Sequence, residues 1–169
     1  IDPVATITGN SGGTFTSSPA GVIFTNSATG EIDLSASTAG TYDILYTFDA
    51  VNGGCAQVQE SFEITINALP VINSFDTSSV AYCETDTNDY TRNFTVTNGI
   101  GGSLSVTPNV GLDISLASNT ITISPNSSSV DTYQVIYTAN NPGGCSTVVS
   151  ETFSVTISAQ LISDFEYGN

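Results

Sequence analysis

Residues 41–48 read TYDILYTF, and the pattern of this stretch decides the fold. Tyr42, Ile44 and Tyr46 occupy every second position. Because successive side chains of a β-strand point to opposite faces, this period of two predicts a strand with one face on a core. The alternation returns in residues 61–67, SFEITIN, and predicts the neighbouring strand. The residues of that second stretch expected to face the core are Phe62, Ile64 and Ile66.

An internal repeat of about 90 residues organises the rest of the chain. Residues 12–68 resemble residues 101–159, and a shorter stretch near the C-terminus resembles residues 71–76. The clearest corresponding pairs are Gly12 and Gly101, Cys55 and Cys145, and Phe62 and Phe153. The sequence therefore predicts an N-terminally truncated first repeat (1–69), a complete second repeat (70–159) and the start of a third (160–169).

Each repeat has the composition of an all-β domain. Short runs rich in Val, Ile, Thr, Tyr and Phe alternate with clusters of Gly, Pro, Asn and Ser, and no helical period is present. We expect tandem immunoglobulin-like β-sandwich modules joined by short linkers. Tyr42 and Tyr133 begin the long strand of their repeats, where immunoglobulin-like sandwiches place a tyrosine corner. The alternative is that both are ordinary core tyrosines.

The charged residues exclude several classes of function. The chain has one Lys or Arg, 16 Asp and Glu and no His, so its formal net charge is −15. Without His or Lys there is no histidine relay, Schiff-base lysine or histidine metal cluster, and the spacing of the carboxylates selects no catalytic pair. A single arginine does not neutralise a phosphate backbone, which argues against a nucleic-acid partner. No run approaches the roughly 20 apolar residues of a membrane span. We expect a non-enzymatic protein without membrane insertion.

Three cysteines suggest a disulfide in each repeat. Cys83 precedes a predicted strand at 92–97, and Cys145 lies in a Gly-Gly-Cys turn between the last two strands. We expect a structural Cys83–Cys145 disulfide, with Cys55 left unpaired by truncation because its partner would precede Ile1. Such a disulfide would indicate an extracytoplasmic protein. The alternative is three buried thiols in a reduced protein.

Glu84, Asp86 and Asp89 form the one candidate metal site. They place three carboxylates in a predicted loop, and calcium prefers such oxygen ligands. The loop lacks the glycine and terminal glutamate of an EF-hand, and a solvated acidic loop is the alternative. Apart from this calcium hypothesis, we expect no cofactor.

The repeat also resembles a known family. The strings GGTF (12–15), ATGEIDLSAS (28–37), GGC (53–55) and YC (82–83) resemble the tandem immunoglobulin-like or PKD-like repeats of giant surface adhesins of gliding bacteria, the SprB-like gliding-motility adhesins. The three cysteines match the two-cysteine pattern of these repeats.

This resemblance implies a function. The chain would be a structural and adhesive stalk repeat of a very large secreted protein, exported by type IX secretion to the outer cell surface, where it supports attachment and gliding motility. Its implied partners are neighbouring repeats of the same chain and extracellular surfaces or polysaccharide. The competing hypothesis is an accessory carbohydrate- or calcium-binding module of a secreted multidomain enzyme.

Overall fold

The computed structural model describes residues 2–9, 11–49, 56–143 and 147–160. The chain divides after Ala68 into two compact units, one residue before the predicted boundary. Apart from Gln160, the predicted start of a third repeat lies outside the described residues. Both units are built from strands, so the all-β prediction is confirmed. No helix among the described residues has the length and apolar character to cross a membrane.

The described residues of the first unit form five strands. They are β1 (Thr14–Ser18), β2 (Ile23–Asn26), β3 (Glu31–Asp33), β4 (Gly40–Phe48) and β5 (Val58–Ile66). β4 is the centre of an antiparallel sheet with the order β1-β4-β5, while β2 and β3 form a second antiparallel pair. In the β4–β5 hairpin, Ile44 lies opposite Phe62 and Tyr42 lies opposite Ile64. These are the residues that the period of two places on one face.

In the second unit, the residues that the structure describes form nine strands and one short 3₁₀ helix. They are β6 (Val71–Asn73), β7 (Val80–Cys83), β8 (Tyr90–Asn93), β9 (Thr95–Thr97), β10 (Gly102–Thr107), β11 (Ile114–Ala117), β12 (Thr120–Ile123), the 3₁₀ helix Pro125–Ser127, β13 (Asp131–Ala139) and β14 (Val149–Ser158). One sheet has the order β10-β13-β14-β7, a second has the order β11-β12-β8, and β6 pairs with β9. The predicted strand 92–97 is divided between β8 and β9.

The two units repeat one strand order. The sheet β1-β4-β5 corresponds to β10-β13-β14, and the hairpin β2–β3 corresponds to β11–β12. The second unit adds β7, which pairs in parallel with β14, from Val80 opposite Val155 to Cys83 opposite Ser158. Two strands joined by a short turn pair antiparallel, whereas two parallel strands need a long connection between them. β7 and β14 are the first and last strands of this sheet along the sequence.

The core of the second unit lies on one face of β13 and β14. Tyr133, Val135 and Tyr137 of β13 are at most 1% exposed, and Phe153 and Val155 of β14 are at most 2% exposed. Among the described residues of this unit, the buried hydrophobic side chains are Phe94, Ile121, Ile123, Tyr133, Val135, Tyr137, Ala139, Phe153, Val155 and Ile157. Intervening residues of β13 and β14 are more exposed, so the predicted alternation is present here.

The core of the first unit is smaller and partly uncovered. Its buried hydrophobic residues are Phe15, Val22, Ile32, Tyr42 and Ile44. The expectation that Phe62 faces a buried core is wrong, because its side chain is 47% exposed, although the corresponding Phe153 is 2% exposed. In the described residues β5 pairs only with β4, and no strand equivalent to β7 lies along its other edge.

Both predicted corner tyrosines form the same contact. The hydroxyl of Tyr42 donates to the carbonyl of Thr38, and that of Tyr133 donates to the carbonyl of Ser129, each over 2.9 Å. Each bond reaches four residues back along the chain, which is the geometry of a tyrosine corner. It fixes the loop before the long strand to that strand.

A glycine makes room for each corner. A Cβ atom on Gly21 would collide with the Tyr42 hydroxyl, and one on Gly111 would lie 2.6 Å from the Tyr133 hydroxyl. The φ angles of these glycines are +151° and +98°, a region that L-residues with a side chain rarely adopt. The corner therefore depends on a glycine about 20 residues upstream of each tyrosine.

Tyr133→Phe is expected to lower the free energy of unfolding of the second unit by about 1 kcal/mol, because it removes the bond to Ser129. Tyr137→Phe is the matched control on the same strand. The buried hydroxyl of Tyr137 has no hydrogen-bond partner among the described residues, so its removal is expected to be neutral or stabilising. Denaturant unfolding followed by far-ultraviolet circular dichroism measures both variants. Equal losses would contradict a specific role for the corner.

Candidate functional site

The predicted acidic loop connects β7 and β8. Within it, Asp86 accepts hydrogen bonds from the backbone N–H of Asn88 over 3.0 Å and from the hydroxyl of Tyr90. The Tyr90 ring stacks on that of Tyr82, with the two centroids 4.1 Å apart. The side chain of Asp86 is therefore held by its own loop and by the following strand.

The other two carboxylates of the loop have different partners. Asp89 accepts from the hydroxyl of Ser124 over 2.6 Å, and Glu84 accepts from the backbone N–H of Gln160 over 3.4 Å. Within the part of the chain that the structure describes, no group of three His, Cys, Asp or Glu residues could hold a metal ion. The three carboxylates are therefore placed as separate contacts of the loop with the body of the unit.

The hydrogen bond between Tyr90 and Asp86 shifts both groups. The pKa of Asp86 lies below its ordinary value of 3.8. The main cause is the hydrogen bond from the Tyr90 hydroxyl, and the second cause is the hydrogen bond from the backbone N–H of Asn88. The same bond raises the pKa of Tyr90. An ionised Asp86 beside a protonated Tyr90 is thus the favoured state over a wide pH range.

Arg92 on β8 forms the most connected charged contact of the second unit. Its Nη1 donates to the carbonyl of Asp76 and its Nη2 donates to the carbonyl of Ser78 over 2.8 Å. Nη1 also lies 3.1 Å from a carboxylate oxygen of Asp76. The guanidinium carbon stands 4.3 Å from the centre of the Phe153 ring, within range of a cation–π contact.

These contacts connect three parts of the unit. Asp76 and Ser78 belong to the segment between β6 and β7, Arg92 belongs to β8, and Phe153 belongs to β14. The Arg92 side chain is only 9% exposed, whereas that of Asp76 is 59% exposed. The arginine therefore satisfies two backbone carbonyls of the segment and stacks on the core at the same time.

Sequence reasoning did not assign this role to Arg92. The available signal was that Arg92 is the one Lys or Arg in a chain with 16 Asp and Glu. Its partners are mainly backbone carbonyls, which have no pattern in a sequence. Only the path of residues 74–79 over β8 identifies them.

Cys83 is half-buried, and its sulfur lies 3.2 Å from the hydroxyl of Thr85. Cys55 and Cys145 lie outside the described residues, so the predicted disulfide stays a prediction. The β-ladder limits where such a bond could form. Cys83 lies opposite Ser158, near the end of β14. Val149, the first residue of β14, is nine residues earlier. At the rise of a strand, nine residues separate the Cα atoms of Val149 and Ser158 by about 30 Å. A disulfide brings two Cα atoms within about 7 Å, which argues against a bond from Cys83 to the β13–β14 loop of its own unit.

A groove of about 720 Å³ opens on the first unit. Its lining is mainly apolar and includes Ile7, Phe15, Tyr46 and Phe62. Glu60 is the one carboxylate among the described lining residues. The described lining therefore has the character of an apolar packing surface.

No protein-family model and no curated protein matches the chain. Among solved structures, an I-band fragment from titin is similar, with 11% identity and a TM-score of 0.44 over 88% of this chain and 55% of that one. Mouse cadherin-23 EC22-24 is similar with 15% identity and a TM-score of 0.38, over 90% of this chain and 55% of that one. The chain thus spans about half the length of either structure, and at this level neither carries an argument about function.

Arg92→Met is expected to destabilise the second unit by about 2–4 kcal/mol, because two backbone carbonyls lose a charged donor and the Phe153 ring loses its cation. Methionine keeps much of the length of the side chain, so the change tests the guanidinium itself. Asp76→Asn is the control and should have a much smaller effect, because this partner is exposed to water. Urea unfolding by circular dichroism gives both values. A loss for Asp76→Asn as large as that for Arg92→Met would show that the ion pair dominates.

Proposed function

We propose that the chain is a non-enzymatic, load-bearing repeat from the stalk of a very large secreted surface adhesin. The observation that carries this proposal is the recurrence of one strand order, β1-β4-β5 and β10-β13-β14, in two consecutive units. Each unit has its own buried core and its own tyrosine corner. Repetition of one self-contained domain is the usual construction of an extended stalk.

The parallel pairing of β7 with β14 supports a mechanical role. Within the second unit, β7 lies near the beginning of the chain and β14 at its end. A force that pulls the two chain ends apart acts along these parallel strands in opposite directions. The hydrogen bonds along their four paired positions would then be loaded together, in shear, instead of breaking one after another.

The surface charge fits a crowded extracellular filament. A net charge of −15 on 169 residues makes copies of the chain repel one another and favours solubility. Together with the resemblance to repeats of gliding adhesins, this supports display on the outer cell surface, attachment to extracellular surfaces or polysaccharide, and a part in gliding motility. Neighbouring repeats of the same chain would be the constant partners.

The cysteines are best explained as links between successive repeats. Cys83 lies at the end of the second unit where β14 leaves it. The β13–β14 loop begins at the opposite end, since Gly99 lies close both to Pro70, where the chain enters, and to the carbonyl of Asn140. In a tandem array, the linker after β14 joins the first of these ends to the second end of the next repeat. Cys83 would therefore bond to the Gly-Gly-Cys loop of the following repeat, with two electrons and two protons passed to a thiol–disulfide oxidoreductase.

Single-molecule stretching of the chain held at both ends tests the load-bearing role. Neighbouring residues of a strand direct their N–H groups to opposite edges of that strand. Val80 and Ala81 are neighbours on β7, so only one of their N–H groups points towards β14. Proline has no N–H group, so only one of the variants Val80→Pro and Ala81→Pro removes a donor from the β7–β14 ladder. We expect one variant to lower the unfolding force of the second unit clearly and the other to change it little. Wild-type forces in both variants would contradict shear loading of this pair.

Mass spectrometry of unreduced peptides tests the cysteine links. In the isolated chain, Cys83 and Cys145 are both expected to react with iodoacetamide without prior reduction. In the parent protein, the peptide with Cys83 should be joined to a Gly-Gly-Cys peptide of the next repeat, and Cys83→Ser should abolish that species. A Cys83–Cys145 peptide from the isolated chain would contradict the proposal and support the bond within one repeat.

A further inference from the structure

The outer face of the sheet strands β10, β13 and β14 consists almost entirely of hydroxyl side chains. The ladder register places every second residue of 103–107, 132–138 and 150–158 on one face, opposite to the core. Of these twelve residues ten are Ser or Thr, and the other two are Gln134 and Ile136. All twelve are exposed or half-buried. This surface is the hydroxyl face.

The hydroxyl face differs from the rest of the chain in charge. None of its twelve residues is charged, in a chain whose formal net charge is −15. The carboxylates of β13 and β14, Asp131 and Glu151, stand at the alternate positions and therefore belong to the other face of the sheet. A sheet exposed to water ordinarily carries charges, which also oppose association. A partner that approaches the hydroxyl face meets no fixed charge on it.

Cross-strand hydrogen bonds order the hydroxyl face. Nε2 of Gln134 donates to the Ser154 hydroxyl over 2.6 Å, and the hydroxyls of Thr132 and Thr156 lie 3.2 Å apart. A hydroxyl has one donor and two acceptor positions, so these groups keep capacity for a further partner. Side chains of one face recur about 7 Å apart along a strand and about 4.8 Å apart between strands. The face is therefore a regular array of neutral donors and acceptors.

The first unit carries the same face with one change. An opposed pair of threonine hydroxyls recurs on β4 and β5, 3.3 Å apart. At the positions that correspond to Gln134 and Ser154, however, Asp43 lies opposite Glu63, and both are exposed. Like charges directly opposite on neighbouring strands are unfavourable. The chain thus contains a neutral and a charged version of one surface.

We propose that the hydroxyl face binds a neutral polysaccharide. This inference rests on the proposed function, because it names the surface by which a stalk repeat would attach to extracellular polysaccharide. Sugar hydroxyls exchange hydrogen bonds with the Ser and Thr hydroxyls, and the half-buried Ile136 adds an apolar contact at the centre. The net charge disfavours both an acidic polymer and a second copy of the chain. Because hydrogen bonds between neutral groups are individually weak, attachment grows with the number of repeats.

Depletion of the whole chain from solution by insoluble polysaccharides tests the site. The neutral probes are microcrystalline cellulose, chitin and β-1,3-glucan, and the acidic probe is polygalacturonate on beads. We expect saturable binding to at least one neutral probe and no binding to polygalacturonate.

Two double variants exchange the charge between the faces. Gln134→Asp with Ser154→Glu should weaken binding about ten-fold, because the new carboxylates lose water without gaining a charged partner. Asp43→Gln with Glu63→Ser should strengthen binding about two-fold or more, because the chain then has two neutral faces.

Thr91→Asp with Ser115→Glu is the matched control. It adds two carboxylates at exposed positions of the sheet β11-β12-β8, outside the hydroxyl face. Its net charge equals that of the Gln134 and Ser154 variant, and it should leave binding unchanged. Thermal unfolding followed by circular dichroism checks that each variant is folded.

Three results would overturn the proposal. The first is no saturable binding to any neutral probe, and the second is an equal loss in the control, which would assign the effect to net charge. The third is self-association that the Gln134 and Ser154 variant abolishes, which would assign the face to a second copy of the chain. None of these results bears on the load-bearing role, because that role is measured by the unfolding force.

Discussion

The pairing of β7 with β14 is the contact on which the complete domain depends. A last strand that has one neighbour leaves a row of main-chain groups unpaired and an apolar face in water, and both are unfavourable. In the second unit a single early segment corrects both, because β7 completes the edge and Phe75 covers the face. Among the described residues of the first unit, β5 has no such partner and Phe62 is 47% exposed. The completed sheet of the second unit therefore depends on contacts between the beginning and the end of its sequence.

Arg92 explains how the segment between β6 and β7 can cross from one sheet to the other. A crossing chain exposes carbonyl groups that no strand neighbour satisfies. The guanidinium donates to two of them, at Asp76 and Ser78, and rests on the Phe153 ring. A planar group with several donors suits this task better than the single ammonium of a lysine. The lone positive side chain of the protein is thus committed to the same junction as β7 and Phe75.

Several of the carboxylates shape turns. Asp33, Asp76 and Asp86 each accept a bond from the backbone N–H two residues ahead, over 2.9 to 3.0 Å. Hydroxyl groups, from the side chains of Ser35, Ser78 and Tyr90 respectively, are the leading cause of a lowered pKa at each site. Because a lowered pKa means that the folded chain binds the proton less tightly, these contacts stabilise the fold above about pH 4 and lose that effect as acid protonates them. These three carboxylates thus contribute to local turn formation.

The sequence alone determined the class of fold and the repeat, and it placed Tyr42 and Tyr133 at the start of the long strands. These features depend on local periodicity and on a spacing of about 90 residues, both of which are visible in the order of side chains from Tyr42 to Phe153. It did not distinguish Phe62 from Phe153, because burial depends on a distant strand and both residues stand in the same local pattern. It also did not give the role of Arg92, the separate partners of Glu84, Asp86 and Asp89, or the distance from Cys83 to the β13–β14 loop. Tertiary structure alone decided these points, since each one depends on which remote segment lies alongside a strand and in which direction it runs.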